Sequence, residues 1–218
     1  MLVLGLTGSI GMGKSTAAAM LRRLGLPVHD ADAAVHRLMN KGGAAVGAVE
    51  AAFPGVVAEG AVDRRRLGAR VLDDDAAMKR LEAILHPLVR AEARAFLARQ
   101  ARLRRPLVVL DIPLLFETGG EQLCDAVVVV TAPATTQRAR VLRRPGMTEE
   151  KMRAVLARQM PDAEKRARAD FVVQTGLGKR HTLRQLAAIV TLLKSGRTPR
   201  RRRAWRPGVA AAGMKGGT

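Results

Sequence analysis

Residues 8–15 form a glycine-rich run that ends in a lysine and a serine. Their letters, GSIGMGKS, match the pattern G-x-x-x-x-G-K-[ST] at every position. In such a run the backbone N–H groups can converge on phosphate oxygens, because no bulky side chain shields them. The Lys14 ammonium can reach the terminal phosphates, and the Ser15 hydroxyl can ligate Mg²⁺. The pattern predicts a site for a nucleoside triphosphate, with a chance glycine-rich turn as the alternative.

The segments on both sides of this run support the prediction. Residues 2–6, LVLGL, predict a fully buried strand of the kind found in parallel sheets. Apolar residues recur at helical spacing from Ala17 to Leu24, and Gly25 with Pro27 ends the predicted helix. A helix N-terminus directly after the loop adds partial positive charge at the phosphate site.

Three aspartates follow predicted strands and are candidates for acid–base or metal chemistry. Asp30 ends a short candidate strand at residues 27–30, and Asp32 follows it. A carboxylate at that place can orient an acceptor hydroxyl and take its proton. The alternative is that Asp32 caps the next helix and Asp30 is a turn residue. Asp111 ends the apolar run 106–111, where a metal-binding acid of such a sheet is expected.

Apolar segments alternate with helical patterns along most of the chain. Residues 106–111, 126–131 and, more weakly, 170–173 predict strands, which indicates an α/β fold with a parallel sheet and helices on both faces. Residues 31–105 contain no convincing strand. They predict an inserted helical block, with helices at about 32–40, 44–52, 63–72, 75–85 and 87–104.

Capping residues mark several of these helices. Asp63 and Asp74 are predicted N-caps, and Pro87 suits a first helical position. Residues 138–165 are helical and dense in arginine, with a break at Pro145-Gly146. This segment predicts a lid that closes over phosphates. An ordinary exposed pair of basic helices is the alternative.

The net charge and the aromatic content of the chain indicate which partners it can bind. The formal net charge is +19, and seven basic residues lie after Ser195, which leaves +12 for the rest. A basic field suits polyanionic nucleotides, although plain compositional bias accounts for part of it. Aromatic residues make up 2%, which disfavours single-stranded nucleic acid as a partner because stacking platforms are scarce.

Cysteine usage and the absence of any long apolar run indicate the compartment. The single cysteine, Cys124, excludes an internal disulfide framework, and no signal peptide or membrane span is evident. We expect a cytoplasmic protein without membrane contact, and we favour a monomer. The four histidines lack metal-ligand spacing, which argues against zinc.

The motifs narrow the class of enzyme. No D-x-x-G sequence occurs, and the Asn40-Lys41 pair is followed by two glycines, so the chain lacks the pattern of a GTPase. A small-molecule or nucleotide kinase is the leading class.

The chain resembles the dephospho-CoA kinase family over about residues 1–193. The matching pieces, in order, are residues 6–16 (LTGSIGMGKST), Asp30-Ala31-Asp32 with His36, residues 86–89 (HPLV), residues 111–117 (DIPLLFE), the arginine-rich segment around Arg140 and Arg144, and residues 169–173 (ADFVV). The resemblance implies ATP-dependent phosphorylation of the ribose 3′-hydroxyl of dephospho-CoA, with Mg²⁺ as cofactor.

The resemblance also implies roles for individual residues. Asp32 would be the general base, Lys14 would hold the ATP phosphates, and Arg140 would stabilise charge on the transferring phosphoryl group. Asp32 and His86 would bind the substrate, and the His86-Pro87 pair would fix a helix start and help to line the acceptor pocket. The predicted ATP-binding residues are Thr7, Gly8, Gly11, Met12, Gly13, Lys14, Ser15, Thr16 and Arg144, and the predicted metal ligands are Ser15 and Asp111.

The domains follow from these assignments. Residues 1–30 and 106–195 would form a P-loop nucleotide-binding core with a lid at about 138–165. Residues 31–105 would form a helical substrate domain, and residues 196–218 a basic disordered tail. The chain has Gln174-Thr175 where the family commonly has Asp-Asn, which leaves open how adenine is held. The alternatives are another P-loop kinase, such as a nucleoside monophosphate kinase, a nucleic-acid-stimulated ATPase, and a non-enzymatic ATP-binding scaffold.

Overall fold

A five-stranded sheet forms the centre of the nucleotide-binding part of the chain. The structure, a computed structural model, describes residues 1–72 and 74–196. The strands of the sheet are β1 (Leu2–Thr7), β2 (Val28–Asp30), β5 (Leu107–Asp111), β6 (Ala126–Thr131) and β7 (Phe171–Gln174). Their order is β2-β5-β1-β6-β7, and β1 pairs in parallel with both β5 and β6. The predicted α/β fold is confirmed.

Helices connect the strands. They are α1 (Lys14–Arg23), α2 (Ala31–Met39), α3 (Val46–Ala52), α4 (Arg64–Val71), α5 (Asp75–Arg102), α6 (Ala134–Leu142), α7 (Glu149–Ala157), α8 (Asp162–Arg168) and α9 (Lys179–Lys194), with a short 3₁₀ helix at Gly120–Leu123. A small antiparallel hairpin, β3 (Val57–Ala58) and β4 (Ala61–Val62), lies between α3 and α4.

The core of the sheet is aliphatic, as its apolar strands require. Leu4, Leu6 and Val128 pack in one cluster with Leu21 of α1 and Leu186 of α9. Residues that point to the opposite side of the same strands, such as Val3, Val127 and Val129, are also buried. Strands that are buried on both faces need continuous rather than alternating apolar sequence, which is why residues 2–6 and 126–131 could be recognised.

The chain divides into two compact units. The first contains Met1–Val28 together with the chain from Ala98, and the second contains His29–Leu97. The sequence placed these boundaries at residues 30/31 and 105/106. The second unit has its own apolar cluster, which includes Leu38, Val49, Phe53, Leu67, Val71, Leu81 and Leu85.

The two helix N-caps predicted for the second unit are confirmed. Asp63 accepts hydrogen bonds from the backbone N–H groups of Arg65 and Arg66, and so it caps α4. Asp74 does the same for Ala76 and Ala77 at the start of α5. A short polar acceptor before a helix satisfies N–H groups that have no partner inside the helix.

Three expectations differ from the structure. The two helices predicted at 75–85 and 87–104 form one helix, α5, with Pro87 in its interior. The hairpin β3–β4 lies in a block that was predicted to lack strands. Three helices, α6 to α8, rather than two, occupy the predicted lid region. The predicted tail beyond Gly196 lies outside the described residues.

Candidate active site

The glycine-rich loop connects β1 to α1 at the carboxyl end of a central strand. Gly13 is the N-cap of α1 and has a φ of 89°, and no side chain among the described residues caps this helix. No acidic residue lies in its first turn. The first N–H groups of α1 and the positive end of its dipole are therefore available to an anionic group such as a phosphate.

Two glycines of the loop adopt a backbone that other residues rarely reach. Gly11 has a φ of 77°, and a Cβ atom there would lie 2.6 Å from the Val141 side chain. A Cβ atom on Gly13 would lie 3.1 Å from Thr175 Oγ1 and 3.4 Å from a guanidinium nitrogen of Arg140. This loop thus needs glycine at both positions, for conformation and for close packing.

Lys14 and Asp111 form an ion pair beside the loop. The Lys14 ammonium donates to Asp111 Oδ1 across 2.7 Å, and the Asp111 carboxylate is almost fully buried. Residue 111 ends β5 in register with Leu6 of β1, so adjacent parallel strands bring the acid to the edge where the loop begins. Ser15 and Thr16, the next two residues of the motif, are exposed.

Other predicted loop residues fasten the loop to the core. The Thr7 hydroxyl is buried and donates to the Pro113 carbonyl oxygen across 2.9 Å. The Met12 thioether accepts from the backbone N–H of Ala132 across 3.1 Å, and the Cβ position of Gly8 is only 2.7 Å from the Val130 carbonyl oxygen. Each of these side-chain contacts is made with the protein itself, so a ligand would meet the backbone at these positions.

Arg140 lies against the same loop. Its guanidinium donates to Thr175 Oγ1 and to the Thr175 carbonyl oxygen, each across 2.9 Å, and one nitrogen is 3.4 Å from the Gly11 carbonyl oxygen. Arg144 follows α6 and is exposed. The sequence did not single out Thr175 as a functional residue, although it marked Gln174-Thr175 as a departure from the family pattern.

Two glutamines hold the loop at Ile10. Gln159 Oε1 accepts from the Ile10 N–H across 3.1 Å, and Gln137 Nε2 donates to the Ile10 carbonyl oxygen across 2.8 Å. Sequence reasoning missed both, because a glutamine in a polar helical segment gives no local signal of a contact more than 100 residues away in the chain.

A buried ion pair lies near the end of β5. Lys165 of α8 is fully buried and contacts Glu117 Oε1 at 2.8 Å, and the same oxygen accepts from the backbone N–H of Met160. Asp162, at the start of α8, accepts from the Thr131 hydroxyl across 2.8 Å. Residues 159–165, at the end of the predicted lid, are thus attached to the sheet.

In the second unit, Asp30 at the end of β2 and Asp32 in α2 have different surroundings. Asp30 is the N-cap of α2, and its side chain accepts from the Ala33 N–H across 3.0 Å. Asp32 lies in the first turn and is exposed, as is His36 one turn further on. The alternative assignment of Asp32 as the helix cap is therefore wrong, because Asp30 takes that position.

His86 is half-buried inside α5, and Pro87 is the next residue of the same helix. The expectation that this pair starts a helix is wrong. Pro87 lacks the N–H group that would bond to the carbonyl oxygen four residues earlier, so α5 continues through one missing hydrogen bond.

His29 is a further buried polar residue of this unit. Its ring packs on Phe96 with centroids 5.3 Å apart, and Nε2 has no hydrogen-bond partner among the described residues. Burial lowers the pKa of His29, and the Arg37 charge acts in the same direction, while Glu92 and Asp30 oppose the shift. A neutral imidazole is therefore favoured in the folded state.

Metal-binding clusters and membrane-spanning helices are both absent from the described residues. In residues 1–72 and 74–196, no cluster of three or more His, Cys, Asp or Glu side chains is arranged to hold a metal ion. Within the same ranges, every helix is too short or too polar to cross a membrane.

Comparison with known proteins identifies the family. The dephospho-CoA kinase family model matches residues 2–178. A dephospho-CoA kinase of Paramagnetospirillum magneticum is 68% identical over 197 residues, which cover 90% of this chain and 93% of that protein.

Solved structures share the fold of this chain. A protein of Thermus thermophilus is 39% identical with a TM-score of 0.75, covering 87% of this chain and 96% of the other. The dephospho-CoA kinase of Campylobacter jejuni shares the fold, at 24% identity and a TM-score of 0.67, over 89% of this chain and 98% of the other. With a family model that spans most of its length and a relative this similar, the chain belongs to the dephospho-CoA kinase family.

Proposed function

We propose that this protein transfers the γ-phosphoryl group of ATP to the ribose 3′-hydroxyl of dephospho-CoA, giving coenzyme A and ADP. Membership of the dephospho-CoA kinase family is the observation that carries this assignment, because it specifies the acceptor. The loop between β1 and α1, with its uncapped helix start and Lys14, supports the use of a nucleoside triphosphate.

The phosphates of ATP are assigned to the loop. Its backbone N–H groups would bind the β-phosphate, and Lys14 would contact the β- and γ-phosphates as charge moves during transfer. Thr7, Gly8 and Met12 would contribute through the backbone, since their side chains are packed into the protein or absent. Ser15 and Thr16 are exposed at the start of α1, where their hydroxyls can reach a bound nucleotide.

The residues of this edge fit a magnesium ion that arrives with ATP. Mg²⁺ prefers hard oxygen ligands and is usually held by one or two protein oxygens together with substrate phosphates. Ser15, which is exposed at the start of α1, and Asp111, at the end of β5, offer such oxygens. Bound there, Mg²⁺ would neutralise charge on the phosphates.

Asp32 is proposed as the general base. Its carboxylate would accept the proton of the ribose 3′-hydroxyl while that oxygen attacks the γ-phosphorus, and the bond to the ADP oxygen breaks. Two observations support the role: Asp32 is exposed, and the neighbouring Asp30 performs the capping function. The capping of α2 therefore does not depend on the Asp32 carboxylate.

Arginines and a histidine complete the proposed site. Arg140 would stabilise negative charge on the transferring phosphoryl group, and Arg144 would contact the ATP phosphates from the lid. His86 would line the acceptor pocket of the second unit, which we propose binds dephospho-CoA. We further propose that the protein acts as a cytoplasmic monomer, as its sequence led us to expect.

The test is to measure ADP release with Mg·ATP against a panel of acceptors: dephospho-CoA, AMP, CMP, pantetheine phosphate and single-stranded DNA. We expect dephospho-CoA to be the acceptor that supports fast turnover, with mass spectrometry showing coenzyme A as product. Preference for AMP or CMP would instead assign a nucleoside monophosphate kinase. Stimulation by DNA without a phosphorylated product would assign an ATPase.

A further inference from the structure

Thr175 follows β7 directly, and both of its oxygens are used. Its side chain is buried, with 7% of the residue exposed. The hydroxyl oxygen lies 2.7 Å from the Met12 carbonyl oxygen and 3.2 Å from the Thr131 carbonyl oxygen. A hydroxyl has one proton, so the shorter contact identifies Met12 as the acceptor.

The same hydroxyl also receives a hydrogen bond. Arg140 Nη1 donates to Thr175 Oγ1, and Arg140 Nη2 donates to the Thr175 carbonyl oxygen, each across 2.9 Å. Two parallel hydrogen bonds to one residue fix both the position and the plane of a guanidinium group. The orientation of Arg140 is thus determined by Thr175 to a degree that one bond would not achieve.

The contact point on the loop is Met12, two residues before Lys14. Met12 precedes Gly13, and the Cβ position of Gly13 lies 3.1 Å from Thr175 Oγ1 and 3.4 Å from Arg140 Nη1. Gly13 can have no side chain there without displacing one of these groups. A single hydroxyl therefore joins the loop backbone that precedes Lys14 to the guanidinium of Arg140.

We propose that Thr175 is a positioning residue for phosphoryl transfer, whose hydroxyl holds Arg140 in register with the phosphate-binding loop. This assignment rests on the proposed role of Arg140. Thr175 would not touch the reacting atoms; it would act by keeping the Arg140 charge aligned with the phosphates that the loop binds. Catalysis by oriented charge is sensitive to displacements of about 1 Å, which can cost on the order of 10²-fold in rate.

The test compares Thr175→Val with Thr175→Ser. Valine keeps the shape of threonine but cannot donate to Met12 or accept from Arg140, whereas serine keeps the hydroxyl. We expect Thr175→Val to lower kcat by about 10- to 100-fold with a much smaller change in KM for ATP. Thr175→Ser should stay within about threefold of the wild type.

A double-mutant cycle shows whether the effect passes through Arg140. In an Arg140→Ala background, Thr175→Val should change kcat by less than about twofold, because the group it positions is absent. Losses that multiply would overturn the proposal, as would Thr175→Val with unchanged kcat. If Thr175→Val does not fold, as judged by circular dichroism and thermal melting, Thr175→Ala serves for the same cycle.

A second readout separates this proposal from the proposed function. Slow ATP hydrolysis without any acceptor can be measured for the four proteins of the cycle. These are the wild type, Thr175→Val, Arg140→Ala and the double variant. If dephospho-CoA is not the acceptor, the panel of acceptors fails but the coupling between Thr175 and Arg140 persists in ATP hydrolysis. If the coupling is absent in both reactions, Thr175 is only a packing residue.

Discussion

At the scale of single residues, Asp30 caps α2 and Asp32 does not. The proposed role of Asp32 as general base can therefore be tested by comparing variants of the two residues. We expect Asp32→Asn to lower kcat by about 10²–10⁴-fold, because the amide keeps the shape but cannot take a proton. ATP affinity should hardly change. Asp30→Asn is the matched control, since asparagine also caps helices well and activity should persist. Steady-state kinetics and calorimetric ATP binding provide the measurements, and an Asp32→Asn enzyme with most of its kcat would remove Asp32 from the mechanism.

Lys14 and Arg140 should differ in which kinetic constant they affect. Lys14→Ala should weaken ATP binding and slow transfer, because one ammonium contacts the bound phosphates and the charge that develops on them. Arg140→Ala should mainly lower kcat, as expected of a contact that strengthens in the transition state. Measurement of KM and kcat for both variants decides the point. Equal losses of affinity with unchanged kcat would make Arg140 a binding residue only.

Buried His29 predicts a pH dependence of stability. The pKa of His29 is lowered in the folded state from its usual 6.5, so the unfolded chain binds the proton more readily. The free energy of unfolding should therefore be fully retained above about pH 6.5 and decrease as pH falls below it.

Urea denaturation between about pH 7.5 and about pH 5.5 measures this effect. His29→Leu should flatten the part of the slope due to this residue. A slope that His29→Leu does not alter would show that other groups cause the pH dependence.

At the scale of elements, the strands could be predicted because their information is local. Residues 107–111 and 126–131 are short apolar runs, which are typical of strands buried on both faces. The loop at residues 8–15 could be predicted from its G-x-x-x-x-G-K-[ST] pattern. The continuous α5 could not be predicted, because a proline ordinarily ends a helix, whereas Pro87 lies inside this one. The two-residue strands β3 and β4 are too short to leave a pattern.

The site could be predicted only in part, because only some of its residues are marked by local sequence patterns. Lys14 and Asp111 are 97 positions apart, yet both follow strand ends and so could be assigned to one edge. The contacts of Thr175 with Met12 and of Gln159 with Ile10 span 163 and 149 positions. Nothing in the local sequence marks them, because threonine and glutamine occur in many exposed segments.

The attachment of α8 gives a prediction about stability. Lys165→Met should lower the free energy of unfolding by about 3–5 kcal/mol, because it leaves the Glu117 carboxylate without its buried partner. The double variant Lys165→Met with Glu117→Gln should recover much of the loss, since the neutral amide still accepts from the Met160 N–H. Equilibrium denaturation of both variants is the measurement. A single variant as stable as the wild type would show that water replaces the pair.

At the scale of the whole molecule, the described fold ends with α9, whose last buried residue is Leu193. The 23 residues after Ser195 carry seven basic side chains and no acidic ones, and their apolar residues show no helical or strand period. Ordering such a segment costs about 1–2 kcal/mol per residue in backbone entropy, with little apolar surface to offset it. We therefore expect a chain that ends at Ser195 to keep its melting temperature and its kcat.

The charge of this segment gives the same comparison a second readout. At low salt the additional positive field should speed the encounter with polyanionic ATP, so the full-length chain should have the higher kcat/KM. At about 0.15 M salt the Debye length is about 8 Å, and the difference should disappear. The two chains are compared for melting temperature and for kcat/KM at both ionic strengths. A lower melting temperature of the short chain would show that the segment packs on the core, and an activity loss that persists at the higher salt would place the segment in the active site.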